Sequence, residues 1–175
     1  INGTGGLSAQ EWLTAHFRGV LFRLGRLLYE RQSIWFDADG PRRGEYSLGI
    51  HIPRGRLTPQ SCDESFALAR SFFARHFPEE QPCRYATCVS WVLDPQLASY
   101  LSPESNIIRF QRRFTILPLE SERAGDRETV EAIFASPFRD IEQLPRTTSL
   151  ERAVTTHLQN GGHWYFRTGW LRLEP

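Results

Sequence analysis

The residues best placed to do chemistry lie between Gly49 and Phe77, where the sequence reads as a strand, a short basic loop and a helix. The first turn of such a helix presents N–H groups that no carbonyl of the helix can accept, and with them a partial positive charge. Arg54 and Arg56 stand in the loop just before it, so the element can hold an anion such as a pyrophosphate. The same spacing also fits an ordinary strand-to-helix connection with two solvated arginines. His51 comes near the end of the strand. An imidazole that titrates near neutrality can take a proton from an amine or a hydroxyl there, or can bond a backbone carbonyl in a partly buried wall.

A second group follows the helix. Alternation puts Cys88 and Ser90 on one face of the next strand and Trp91 on the other. No G-x-S-x-G elbow surrounds Ser90, so a nucleophilic serine gives way to a hydroxyl that donates to a carbonyl or a thiolate, or that simply sits satisfied in the core. Tyr100, close in sequence to Ser105 and Asn106, can return a proton to a leaving thiolate, with capping and packing as competing roles.

Composition narrows the classes. The 21 basic and 20 acidic residues leave a net charge of +1, which supplies no strong pull toward nucleic acid or a membrane surface. The stretch Phe110-Gln111-Arg112-Arg113-Phe114 has the aromatic and arginine texture of a nucleic-acid platform, but in so neutral a chain it reads as a helix-to-strand junction. Every basic residue is Arg and none is Lys, which excludes Schiff-base chemistry and lysine phosphate grips. Cys62, Cys83 and Cys88 match no zinc-ribbon spacing; they read as buried thiols in a reducing compartment, and no metal is expected. No apolar run is long enough to span a bilayer, and the first residues lack the order of a signal peptide, so the expectation is a cytoplasmic protein.

The elements that must position these residues follow from periodicity and punctuation. Ser8 can cap a helix over 9 to 18, ended by Gly19. Residues 20 to 36 read as two strands or one bent strand around Gly25, and Asp37 to Pro41 turns the chain into a strand over 45 to 52. Thr58 and Pro59 suit the N-cap and first position of a helix reaching about Phe77. A buried strand is expected from Tyr85 to Leu93, a short helix from Asp94-Pro95 to Leu101, and another from Ser102-Pro103 carrying Ile107, Ile108 and Phe110. A strand through Phe114 to Leu117, a solvated loop over 120 to 128 and a strand over 130 to 135 come next. Ser149 can cap a helix stopped by Asn160-Gly161-Gly162, before a last aromatic strand from His163 to Leu173. One α/β domain over 1–175 is the default for this length, with Ile1 to Gly6 as a linker-like arm.

Four segments carry a family likeness: Leu48 to Pro53, Ser90 to Pro95 with Leu97 and Tyr100-Leu101, Ser105 to Phe114, and Leu144 to Ala153. With them the chain resembles the GNAT-like C-terminal domain of bacterial acyltransferases, a branch of the GNAT N-acetyltransferase superfamily. The resemblance implies a GNAT-like mixed, mostly antiparallel sheet flanked by helices, in which two central strands splay apart around a thioester donor. It also implies a helical N-terminal domain in the same protein. The superfamily's usual Arg/Gln-x-x-Gly-x-Gly/Ala phosphate loop is replaced here by Pro53-Arg54-Gly55-Arg56, and Phe110 stands about where a tyrosine acid is common.

The resulting expectation is an enzyme that moves an acetyl or other acyl group from acyl-CoA to the amine or hydroxyl of a small acceptor by direct attack. His51, Ser90 and Tyr100 are its candidate catalytic residues, and Ile52, Arg54, Gly55, Arg56 and Asn106 its candidate contacts with acetyl-CoA or another acyl-CoA. Glu45 and Trp91 are candidates for the acceptor side. The alternatives are a non-catalytic ligand-binding domain with the same fold, or an interaction module using the aromatic strand from Trp164 to Trp170.

Overall fold

A computed structural model of the chain describes residues 19–80, 82–118, 123–134 and 140–173, and the helix expected over 9 to 18 lies outside them. The chain forms two compact units. The first takes residues up to Pro53, then Gln60–Thr87 and the chain from Arg172 on; the second takes Arg54–Pro59 and Cys88–Leu171.

In the first unit, β1 (Leu21–Leu24) and β2 (Leu27–Ser33) are the two strands that Gly25 separates. Gly25 has φ +71°, a turn conformation that residues with a Cβ adopt only under strain. β3 (Tyr46–His51) returns antiparallel to β2 in six pairs, from Leu28↔His51 to Ser33↔Tyr46. That register sorts the side chains by face, because strand residues alternate. Tyr29 and Ile50 share one face with Arg31 and Leu48, while Glu30 and Gly49 share the other with Gln32, Ser47, Leu28 and His51.

The first face is covered by α1 (Pro59–His76), which buries Cys62, Phe66, Ala69 and Phe73. Pro59 opens that helix without loss, since the first helical N–H has no partner to give up. Phe22 lies 5.0 to 5.5 Å from the rings of Phe72, Phe73 and Phe77, so β1 is held to the end of the helix by an aromatic cluster. Arg31 stacks its guanidinium 3.9 Å above the Phe77 ring and pairs with Glu80.

One polar side chain locks the hairpin to the helix. Ser65, fully buried on α1, donates to the Leu24 carbonyl and accepts from the Leu27 N–H and the Tyr29 hydroxyl, both at 3.1 Å. A hydroxyl has one proton and two lone pairs, and all three are used. Burial, offset in part by the Ser65 bond, pushes the Tyr29 phenol well above its usual range. β4 (Tyr85–Ser90) then joins β3 in a parallel ladder, and the Leu173 N–H reaches the Arg84 carbonyl.

The second unit departs from the expected elements in five places. The strand expected to reach Leu93 stops at Ser90, whose hydroxyl accepts from the Val92 N–H and so starts a 3-10 turn over Trp91–Leu93. Asp94 does cap the next turn, accepting from the Gln96 N–H, but Pro95–Ser99 is 3-10 rather than α. α2 (Asn106–Gln111) begins at Ser105, which accepts from Ile108, and not at Ser102, whose hydroxyl serves a local turn to Glu104. Of the strand expected over 130 to 135, the described residues 130–134 are helical: α3 (Asp126–Phe134) has Asp126 and Glu128 in its first turn, where the helix dipole favours negative charge. Its start also shortens the charged loop expected over 120 to 128, of which 119–122 lie outside the described residues. α4 (Ser149–Gln159) is capped one residue early, by Thr148, in a reciprocal box with Glu151.

β5 (Thr115–Ile116) and β6 (Arg123–Ala124) both pair antiparallel with β7 (Tyr165–Arg172). The core of this unit gathers Leu97, Leu101, Ile108, Val130, Val154 and Trp164. Asp94, with no exposed surface, also accepts the Tyr165 N–H at 2.8 Å, and the Arg167 guanidinium stands 3.7 Å away. Across both units the pairings β1–β2, β2–β3, β5–β7 and β6–β7 are antiparallel, and β3–β4 is parallel. No helix among the described residues is long and apolar enough to cross a membrane.

Replacing Ser65 with Ala leaves the Leu27 N–H and the Tyr29 hydroxyl buried without their acceptor. The expected cost is about 2–3 kcal/mol of unfolding free energy, read as a lower urea midpoint at unchanged slope.

Candidate functional site

The site is built outward from the end of β3. Three pairs make up the parallel ladder, Ser47↔Tyr85, Leu48↔Ala86 and Gly49↔Thr87. β3 then adds Ile50 and His51, which pair on their other side with Tyr29 and Leu28 of β2. His51 is therefore fixed by one neighbour strand at a point the parallel ladder does not reach.

On the face away from α1, His51 Nε2 lies 3.0 Å from a Glu30 carboxylate oxygen. Glu30 sits opposite Gly49, so the contact is a diagonal across the β2–β3 pair. Two residues back, Gln32 crosses Gly49 and donates to the Thr87 hydroxyl at 2.5 Å. A Cβ on Gly49 would stand 2.9 Å from the Gln32 amide, so only glycine leaves that path open. Ser47 and Thr87 are 2% and 1% exposed, and among the described residues the Ser47 hydroxyl has no hydrogen-bond partner. An apolar helix-facing side and a polar opposite side thus meet in the same strands.

Glu45 lies at the other end of β3, six residues or roughly 20 Å of extended chain from His51, where it accepts from the Arg42 N–H in the hairpin loop. The structure does not bring it to the histidine. Ile52 follows His51 directly and is half-buried.

Arg54, Gly55 and Arg56 belong to the second unit. Arg54 donates to the carbonyls of Glu131 and Ala132 at 2.7 to 3.1 Å, in the last turn of α3. Carbonyls at a helix C-terminus lack intrahelical donors and carry partial negative charge, so a guanidinium is well matched to them. Gly55 has φ +123°, and Arg56 is exposed.

Ser90 and Trp91 are half-buried, with Trp91 packed on the core of the second unit. Asn106 opens α2. Tyr100 is exposed, and its hydroxyl lies 3.0 Å from His157 Nδ1. The other ring nitrogen, Nε2, is 3.1 Å from the His163 carbonyl, which can only accept. In a neutral imidazole this arrangement puts the proton on Nε2 and lets Nδ1 accept from the Tyr100 hydroxyl. The sequence reading missed His157, Glu30, Gln32 and Thr87. Alternation along 27 to 33 puts Glu30 and Gln32 on one side, but their partners depend on register.

The thiols do not join this chemistry. Burial pushes Cys88 up to about 12 and Cys83, with Glu80 nearby adding to the effect, up to about 11. Among the described residues no group of three His, Cys, Asp or Glu side chains is placed to hold a metal ion.

Residues 21–171 match the model of the GNAT-like C-terminal domain. The chain belongs to that family. Solved structures agree with the GNAT-like fold. An acyltransferase in complex with decanoyl-CoA and teicoplanin is 42% identical, with a TM-score of 0.84, over 99% of this chain and 53% of its own. Another, in complex with CoA and 10C-teicoplanin, is 40% identical with a TM-score of 0.83, over 99% and 53%. A mutant acyltransferase in complex with octanoyl-CoA is 42% identical with a TM-score of 0.84, over the same shares. This GNAT-like domain thus spans about half the length of the solved chains it matches. No curated protein matches it.

The thiol shift has a measurable sign. Cys88 is raised in the folded state, so the stabilisation of its protonated form is complete below the unfolded value, about pH 8.5, and is lost as pH rises toward 12. At pH 8 the native protein should carry roughly a thousandfold less Cys88 thiolate than a free cysteine. Iodoacetamide followed by peptide mass mapping should label Cys88 only after denaturant is added.

Proposed function

We infer that this domain belongs to an enzyme that transfers an acyl group from acyl-CoA to an amine or hydroxyl of a small acceptor, with His51 as the base. Membership of a family whose solved relatives, at 40% identity or more over 99% of the chain, hold acyl-CoA or CoA carries the reading. Octanoyl-CoA and decanoyl-CoA in those relatives favour a medium-length acyl chain, and teicoplanin favours an acceptor of the glycopeptide kind.

The donor lies along β3 beyond its three pairs with β4, beside Ile50 to Ile52. Its phosphates meet Arg56 and the first N–H groups of α1, a few residues on. Arg54 contributes indirectly, since its guanidinium is committed to α3 and so anchors the loop that carries Arg56. Pantetheine and phosphates are long, and binding them fixes the thioester carbon within reach of the acceptor.

The chemistry is a direct displacement. The acceptor nitrogen or oxygen attacks the thioester carbon as His51 takes its proton, and the carbonyl electrons move onto oxygen. The tetrahedral centre then collapses, the carbon–sulfur bond breaks, and CoA leaves as a thiolate that picks up a proton. The proton held by His51 returns through solvent to that thiolate, which restores the base for the next turnover.

Calorimetry on the full-length protein should show micromolar binding of octanoyl-CoA or decanoyl-CoA. His51→Ala should keep that affinity within a few-fold and lower kcat by about 10²–10⁴. Failure of either acyl-CoA to bind would overturn the assignment.

A further inference from the structure

A base that works at one nitrogen needs the proton kept on the other. Neutral imidazole exists as two tautomers of similar energy in water, and only the hydrogen bond made by the second nitrogen decides between them. In this chain the second nitrogen of His51 has a defined neighbour. Nε2 stands 3.0 Å from the Glu30 carboxylate, which can only accept, so the proton belongs on Nε2 and the lone pair on Nδ1.

The backbone makes this contact durable. Glu30 and His51 sit two pairs apart in the same antiparallel ladder, Glu30↔Gly49 and Leu28↔His51 with Tyr29↔Ile50 between them, so they share a face and their Cα positions are set by the strand pairing. Gly49 leaves the space beside them without a side chain, and Gln32, the next residue of β2 on that face, is drawn off to Thr87. The Glu30 carboxylate therefore does not have to share the Gln32 amide. Both partners keep solvent contact, with side chains 30% and 41% exposed, so the pair adds little to folding stability. Its value lies in orientation.

We propose that Glu30 is the positioning residue of His51: it holds the imidazole as the Nε2–H tautomer, turned so that Nδ1 receives the acceptor's proton. Once that proton arrives, the carboxylate faces the imidazolium it has formed, and the base is completed by a third group, as nucleophile–base systems require. The inference rests on the reading of His51 as the base, and extends it to the residue that fixes its state.

The test uses the full-length protein and its Glu30→Ala and Glu30→Gln variants. Two-bond proton–nitrogen NMR correlations of His51 read the tautomer directly and need no turnover. The wild type should show predominantly the Nε2–H form, and both variants a mixture. Gln keeps the size of Glu and should keep the thermal midpoint, so a purely structural role would leave Glu30→Gln with the wild-type tautomer. In turnover with decanoyl-CoA and teicoplanin as probes, both variants should lose kcat by about tenfold or more at a nearly constant KM for decanoyl-CoA. A wild-type Nδ1–H form, or variants with unchanged tautomer, would overturn the proposal. So would variants with unchanged kcat where His51→Ala is inactive. Activity retained by His51→Ala would instead remove the base assignment and leave the tautomer result standing by itself.

Discussion

The six-pair register between β2 and β3 is the constraint on which the chemistry of the first unit depends. Strand side chains alternate with a period of two, so a slip of one residue would exchange the two faces completely. Tyr29 would then leave Ser65 and the aromatic cluster, and Glu30 would be driven toward the apolar helix. Burial of Leu27, Tyr29, Leu48 and Ile50 on one side therefore specifies, at no further cost, the polar row on the other. His51 meets Glu30 because Tyr29 must meet α1.

Each unit fastens its elements with a buried polar atom that is fully used. Ser65 serves a carbonyl, an amide and a phenol in the first unit; Asp94 serves two backbone amides, the Gln96 side chain and the approach of Arg167 in the second. Such groups contribute modestly while satisfied and cost heavily when a partner is lost, so they act as specifiers of geometry more than as sources of stability. Arg54 works in the same manner at lower burial, fixing a loop by neutralising the end of α3.

Much of this was legible in the sequence where local signals agree. Pro53 ending an alternating run, and Thr58-Pro59 before an apolar stripe, place β3 and α1 within a residue or two of their observed bounds. Misreadings fall where two local signals compete. Val130 to Ala135 is apolar enough for a strand, and only Asp126 and Glu128, set where a helix dipole favours them, decide for α3. Ser102-Pro103 has the form of a helix start, but Ser105 reaches the amide that matters. His51 could be singled out as a candidate by its type and place, while its contact with Glu30 could not be read. Residues 34–45 lie between the two strands, and a loop of that length leaves the register open until the packing on α1 closes it. The partners of Arg54, more than 75 residues away, left no local trace at all.

β7 carries a consequence for how the chain matures. Among the described residues β5 and β6 find their strand partner only in β7, and the Asp94 carboxylate receives a backbone amide from its first residue. During synthesis these segments must wait for about forty to fifty residues of later chain before their ladder can close, with Trp164 still outside the core it fills. Loop-closure entropy is lost before the contacts that repay it can form, so the second unit is the slow-maturing half, and a ribosome stalled short of residue 165 would leave its apolar interior open to chaperones.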